Sequence, residues 1–524
     1  MDATFAGSLP DSERLPWRWP WSRWYPTQVW WLGAFFGLLV LRSLATGLVP
    51  LIPEEAYYWM YAQNGELSYY DHPPMVAWVI RLGTLLLGDN EIGVRLAGNA
   101  MMCGASVLLY AFARNWYGRS TALLSAAAIQ VLPVFAGIGF VATMDSPLLF
   151  FWALGLLGAT IALKHDRASG WYIAGFALGG AMLSKYTGIF LGLGAVLAVV
   201  GHRSWRKHLL SVHPYLASLL SLAIFSPVVI WNYRNNWASF RFQFVDRFEG
   251  QALGLNHVMP FMGIVVLVAT PVLLIACAGV MLRCIRRPGR LRHGRLWLMF
   301  CFGLPLLAVM AAKSLRTSIH INWTLPAYLS LIPVACHTLV AVARLRSRHA
   351  FNRLRMNGLA WTFGCCIAAN IIGFLYLLVL QPRTHLIRAL GPWRELADVV
   401  ERHEDELEAQ VGYEPLILAD GKYRLASILA FYRVSIEDQP TAPFTSNQWF
   451  VGDTGLGYAY WQNRDDWLGK TCLYLDDDGN VARDVRGRFD SFEVIEDPKL
   501  DALGYQLAIC RGYRGPGKPR MQDR

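Results

Sequence analysis

Charge is scarce in this chain: Asp, Glu, Lys and Arg make up 16% of its 524 residues, where a soluble domain carries about a quarter. That shortage excludes an ordinary cytosolic enzyme and a disordered protein. Acids are scarcer than bases, 37 against 48, which leaves a formal net charge of +11. Nine cysteines do not make a small disulfide scaffold in a chain of this length, and none has metal-type spacing. Seven of them lie in or beside apolar stretches, where they read as packing residues; only Cys472 and Cys510 fall in the C-terminal tail. No internal repeat and no low-complexity tract is visible, so the repeated halves of many transporters are not apparent.

What the chain has in abundance is apolar sequence. Hydrophobic residues make up 54%, and runs of about 20 of them recur from residue 28 to residue 380, the length that spans a bilayer as a helix. A polytopic α-helical membrane protein follows. The basic residues sit in short loops between these runs, which argues for membrane threading and against nucleic acid.

An N-terminal segment, residues 1–27, carries Arg14, Arg18 and Arg23 among four tryptophans ahead of the first apolar run. It reads as a cytoplasmic collar before a retained helix, not a cleaved signal. Further spans are expected near 91–113, 119–140, 145–163, 171–184, 186–201, 208–230, 258–283, 295–312, 320–342 and 357–380, about eleven helices in all. Lys and Arg favour alternate connections, for example Arg283 to Arg295 and Arg344 to Arg355, as cytoplasmic loops do. An odd number of spans puts the tail, residues 381–524, outside the membrane. Its composition suits a small α/β domain: helices at 394–411 and 425–432, strands at 415–419, 471–475, 492–495 and 505–510, and a loose end from Gly515.

The loop between the first two full spans, residues 50–90, is long. Pro53-Glu54-Glu55 looks like a helix start, and Val76 to Leu87 is apolar but too short to span, so it should lie along the membrane surface. Between them, Pro73 and Pro74 fix an extended backbone behind Asp71 and His72. Helix-start charges and a surface turn explain these acids without any function. Asp145 opens a span before Pro147, which suits an N-cap as well as a site. Lys185 is the lone base between two short helices, so it either snorkels outward or meets an anion.

Taken together, Glu54-Glu55-Ala56-Tyr57-Tyr58-Trp59 and Tyr70-Asp71-His72-Pro73-Pro74 resemble the first external loop of bacterial glycosyltransferases that use lipid-phosphate-linked sugars. This is the GT-C superfamily, which includes protein O-mannosyltransferases, the aminoarabinose transferase of lipid A and galacturonosyltransferases. Met144-Asp145-Ser146-Pro147, Leu183-Ser184-Lys185-Tyr186, Asn236-Trp237-Ala238-Ser239-Phe240 and His320-Ile321-Asn322-Trp323 are similar to landmarks of that family in the same order.

The resemblance implies an inverting transfer of a sugar from a polyprenyl, undecaprenyl-type phosphate to lipid A, a surface glycan or a protein, at the outer face of the cytoplasmic membrane. It implies Glu54 as general base, although the family usually has Asp there, with Glu55 accompanying it and Asp145 supporting. Asp71 falls on an acidic position that helps hold a divalent ion in some relatives. Lys185 and His72 fall on donor-phosphate positions, His72 where some relatives have Lys. Two rivals remain: a transporter of lipid-linked sugars, expected to show ionisable residues and broken helices near mid-membrane, and a non-catalytic relative whose tail binds glycan.

Overall fold

A backbone in lipid must satisfy its own N–H and C=O groups, so the apolar runs fold as helices. The computed structural model describes residues 26–244, 254–286, 289, 294–344, 350–381, 389–434 and 445–516. The collar expected before residue 26, much of the basic loops at 287–293 and 345–349, and the chain end from 517 lie outside the described residues. The first helices are α1 (Pro26–Thr46), α2 (Pro53–Asn64), α3 (Met75–Leu87), α4 (Glu91–Tyr117), α5 (Arg119–Val131), α6 (Pro133–Ile138), α7 (Asp145–Leu163) and α8 (Ala168–Ser184). They are followed by α9 (Ile189–Gly201), α10 (His213–Arg234), α11 (Ala238–Phe244), α12 (Val258–Arg286), α13 (Gly294–Lys313), α14 (Leu325–Arg344) and α15 (Ala350–Leu375).

Among the described residues six helices are long and apolar enough to cross a membrane, and up to eight if each of two bent pairs is one span. The expectation of about eleven is not reached by this measure. One reason is Pro133, which lacks an N–H and drives Leu132 into an extended conformation (φ −60°, ψ 124°), so the run at 119–140 breaks into α5 and α6. A second is α12, bent by 98° where Thr270 takes φ 56° ahead of Pro271. The break in α12 carries no ionisable residue, whereas the other bent pair, Tyr186–Gly201 with Arg203–Leu210, turns by 110° at His202.

α7 and α8 pack backbone to backbone through glycine. A Cβ on Gly170 would stand 2.2 Å from the nitrogen of Ala162, and one on Gly158 2.7 Å from that of Ala174. Only small residues allow this approach, the usual device for holding membrane helices together. It fixes the two helices that carry Asp145 and Lys185. α3 is fixed the same way, since a Cβ on Gly83 would lie 2.1 Å from the carbonyl oxygen of Gly93. The opposite face of α3 leaves Trp78, Leu82, Leu85 and Leu86 exposed, as an interfacial helix requires.

The C-terminal part is a five-stranded mixed sheet, order β2-β1-β3-β5-β4, with β1 Leu416–Ala419, β2 Thr445–Asn447, β3 Cys472–Asp476, β4 Phe489–Ile495 and β5 Gln506–Tyr513. β1 runs parallel to β2 and β3, whereas β5 is antiparallel to β3 and β4. β3 is buried at every position, so alternate side chains face two cores. Leu473 and Leu475 join the core with α2 and the helices Trp393–Val411 and Arg424–Val434. Cys472 and Tyr474 join the other, with Phe450 and Tyr513. The two longer helices and four of the strands lie where the pattern predicts them, whereas the short helices Tyr458–Trp461, Val481–Val485 and Pro498–Leu503 are not expected from it. β2 is missed because Thr-Ser-Asn has no apolar alternation to read. Cys472 and Cys510 are direct partners across β3 and β5, and both are free thiols.

Candidate active site

The loop at 50–90 becomes a site because the sheet end of the molecule clamps it. Trp393 donates its indole N–H to the carbonyl of Leu51 at 3.1 Å, and the Leu51 N–H donates to the Tyr432 hydroxyl at 2.8 Å. Arg394 pairs with Glu91 at 2.8 Å. These bonds hold both ends of the loop against the tail.

Within α2, adjacent residues point about 100° apart, and the two glutamates meet different partners. Glu55 is fully buried. It accepts from the Ile52 N–H at 3.0 Å, closing the helix start, and from the Ala142 N–H at 2.7 Å. Its main partner is Arg95, in contact at 2.7 and 2.5 Å. The remaining donors of Arg95 go to the carbonyls of Thr46, Val49 and Pro50, so all five guanidinium N–H groups are used. Sequence reasoning did not single out Arg95, although an arginine inside an apolar run is itself a signal that a partner exists. Glu54 is half-buried and accepts from the Tyr423 hydroxyl at 3.2 Å. Nothing in the tail's sequence marks Tyr423 for this contact.

Asp71 is buried. Its Oδ1 accepts from the hydroxyls of Tyr57, at 3.3 Å, and Tyr61, and its backbone carbonyl accepts from Gln243 at 2.6 Å. Its Oδ2 stands 3.9 Å from His72 Nε2. The phenols are held in turn by rings from the tail: Tyr57 stacks on Tyr423 with centroids 4.4 Å apart, and Trp461 packs on both Tyr57 and Tyr61.

Asp145 and Lys185 form a buried ion pair at 2.9 Å, and the Asn322 side-chain N–H donates to the second Asp145 oxygen at 2.5 Å. The lone lysine therefore pairs inward. Tyr58 of α2 is buried, with its ring edge-on to His72 at 5.9 Å. Burial holds its hydroxyl well above the ordinary range, and the negative charges of Asp71, Asp145 and Glu54 push it the same way.

For a cation, Asp71 and His72 offer two ligand atoms at a separation one divalent ion can bridge, with other positions left to water or phosphate. Among the described residues no third acidic, histidine or cysteine side chain completes a group with them. Such groups of three occur at Glu401, Glu404 and Asp405 and at Asp420, Asp476 and Asp484, in the tail. Burial and mutual repulsion push Asp420 up to about 7.

The architecture is that of a helical membrane protein with a small C-terminal sheet, shared with the crystal structure of ArnT from Cupriavidus metallidurans bound to undecaprenyl phosphate. That likeness has a TM-score of 0.61 and 16% identity, and covers 91% of this chain and 98% of that one. Residues 71–231 match the family described as dolichyl-phosphate-mannose-protein mannosyltransferase. It is 28% identical, over 53% of its own length, to the lipid A galacturonosyltransferase RgtD of Rhizobium johnstonii. It is 27% identical, over 71% of its length, to the undecaprenyl phosphate-alpha-4-amino-4-deoxy-L-arabinose arabinosyl transferase of Erwinia tasmaniensis. The matches span 58% and 66% of those two proteins.

Proposed function

We propose that this chain is an inverting glycosyltransferase that moves a sugar from an undecaprenyl-type polyprenyl phosphate to an acceptor hydroxyl, on lipid A or another envelope glycan, lipid or protein. The observation that carries the reading is Lys185 fixed by Asp145 at 2.9 Å, with Asn322 on the second Asp145 oxygen, and Glu54 and Asp71 each held by phenols that stack on one another, Tyr423 and Tyr57. The relatives named for lipid A and for undecaprenyl-phosphate-linked sugars support the substrate class.

In the reaction the acceptor oxygen bonds to the anomeric carbon as the bond from that carbon to the phosphate oxygen breaks. Glu54 takes the acceptor proton. Half-buried and fixed by one phenol, it is more accessible than Asp71, which is buried under two. The polyprenyl phosphate leaves as an anion and needs a cationic neighbour more than a proton. Lys185 supplies it, with Asp145 and Asn322 setting the direction of the ammonium group and His72 adding a second contact. Asp71 and His72 would hold a divalent ion, which would supply further positive charge to the leaving group. Glu55 works indirectly, by holding α2 in place.

The division of labour follows: residues 28–380 carry the membrane glycosyltransferase domain, with the loop at 50–90 as its outer edge, and residues 381–524 form an extracytoplasmic α/β domain that clamps it. The N-terminal segment 1–27 is cytoplasmic, in a multi-pass protein of the inner membrane.

The reading is tested with full-length protein in nanodiscs, an undecaprenyl-phosphate-linked sugar and lipid A. Lys185→Met should weaken donor affinity and transfer together. Because that change strands Asp145, the double variant with Asp145→Asn, which leaves no buried charge, should fold normally and remain defective. A folded double variant with full transfer would remove Lys185 from the phosphate site.

Orientation has its own check. An impermeant thiol reagent applied to intact spheroplasts should label Lys499→Cys, on the exposed helix Pro498–Leu503, well above the parent chain. Burial pushes Cys510 up to about 12 and Cys472 higher still, so both should stay unlabelled until the protein is denatured. Labelling of Lys499→Cys only after permeabilisation would invert the threading.

A further inference from the structure

Two strands of the tail end side by side in aspartate. β1 and β3 are parallel neighbours paired through Ala419 and Leu475, so Asp420 and Asp476 stand together at their carboxyl ends, and the Asp420 N–H donates to the Leu475 carbonyl at 2.9 Å. From β1 the chain goes on to β2 on one side, and from β3 to β4 and β5 on the other. Open α/β sheets bind their ligands at such a point, outside the strand ends where the connections diverge. Asp484, on the helix Val481–Val485, completes the group: each of the three brings one carboxylate oxygen within 4.8 Å of the others. Asp420 is 5% exposed, and Asp476 and Asp484 are 0% exposed.

Their protein partners account for only part of this arrangement. Asp484 accepts from the Tyr474 hydroxyl and from Arg483, each at 3.0 Å. Asp476 Oδ2 accepts from the Asn480 N–H at 2.6 Å. Asp420 Oδ1 and Asp476 Oδ1 have no hydrogen-bond partner, and no base pairs with either carboxylate, among the described residues. Arg483 is shared with Asp478, so it offsets at most one of the three charges. Buried carboxylates this close do not stay ionised together without positive charge between them. An ion needs no cavity that water could enter. Ca²⁺ binds oxygens at about 2.3 to 2.6 Å, so two oxygens on one ion lie at most about 5 Å apart.

We propose that Asp420, Asp476 and Asp484 bind a hard divalent cation, Ca²⁺ or Mg²⁺, the class that all-oxygen ligands favour. The site reaches the candidate active site through one turn. Gly421 and Lys422 both take positive φ, 78° and 61°, and the turn delivers Tyr423, whose hydroxyl holds Glu54. A cation on Asp420 fixes the start of that turn. The link to turnover rests on the transferase reading; the cation site does not.

The test uses chelator-treated full-length protein in detergent with Ca²⁺ or Mg²⁺ alone as probe, in an Asp71→Asn background so that Asp71 and His72 do not contribute. Asp420→Asn and Asp476→Asn, near-isosteric changes that also relieve repulsion, are compared with Lys499→Ala as control. In the background protein and the control, calorimetry should record saturable binding, and the thermal unfolding midpoint should rise with the cation. Both Asn variants should bind at least about tenfold more weakly and lose that rise, since ligand charge sets affinity. The cation giving the larger rise is the one the site selects. If Asp420 and Asp476 instead share a proton, the background protein will show neither binding nor a rise, and the site is overturned. Equal binding in both folded Asn variants would overturn it as well. With Asp71 restored, Asp476→Asn should lower kcat severalfold and leave the donor KM unchanged. Unchanged kcat with cation binding lost would keep the site and overturn its link to Glu54. A parent protein that binds the cation but transfers no sugar, with binding lost in the variants, would support the site while the transferase reading fell.

Discussion

Replacing Glu54 by Gln should lower turnover about 100-fold to 10,000-fold while sparing donor affinity, because positioned general-base assistance is worth that much. The amide is nearly isosteric and can still accept from the Tyr423 hydroxyl, so the clamp between α2 and the tail survives. What it loses is basicity. If Glu54 were only a helix-start charge, the change would cost at most about 1 kcal/mol of local stability and leave turnover nearly intact. Near-parent activity at matched protein levels would therefore remove Glu54 as the base and make Asp71 the next candidate. Glu55→Gln should differ: its amide oxygen can still accept from a backbone N–H, and the main loss is the countercharge of Arg95.

The larger structural effect should come from Arg95→Met. This removes a guanidinium whose five N–H groups bind Glu55 and three carbonyls, one at the last residue of α1 and two just beyond it, and leaves Glu55 charged and buried without its counterion. Breaking a buried ion pair from one side costs about 3 to 5 kcal/mol. Thermal unfolding in detergent should show a marked loss of stability, with turnover falling as α2 loosens. The double variant Arg95→Met/Glu55→Gln should recover part of the loss, because no buried charge remains. Equal melting of the parent and Arg95→Met would show that the pair adds nothing to the fold.

Much of the molecule was legible in the chain. The apolar runs marked the membrane helices because lipid forces a backbone to bond within one segment, and α7 begins at Asp145 and ends at Leu163, as read. The same logic located α3 as an apolar helix too short to span, Met75–Leu87. Proline and a strained threonine upset the reading where a long run hid a break, at Leu132 and Thr270. Hydropathy sums side chains and does not register a missing N–H or a backbone turned to positive φ.

The site was legible as residue types and not as a geometry. Sequence determined that Glu54, Asp71, Asp145 and Lys185 stand near helix starts and breaks, since apolar runs leave ionisable residues few other places. Only the tertiary structure decided their partners. It paired Lys185 with Asp145 across 40 positions, Glu55 with Arg95 across 40, and Glu54 with Tyr423 across 369. Such contacts depend on how helices pack and on where a sheet docks, and local periodicity carries no record of either. Glu54 and Glu55 are the same residue type at adjacent positions, yet one is half-exposed under a phenol and the other is sealed against a guanidinium. Helical rotation turns them apart, and the packing on each side gives them different work.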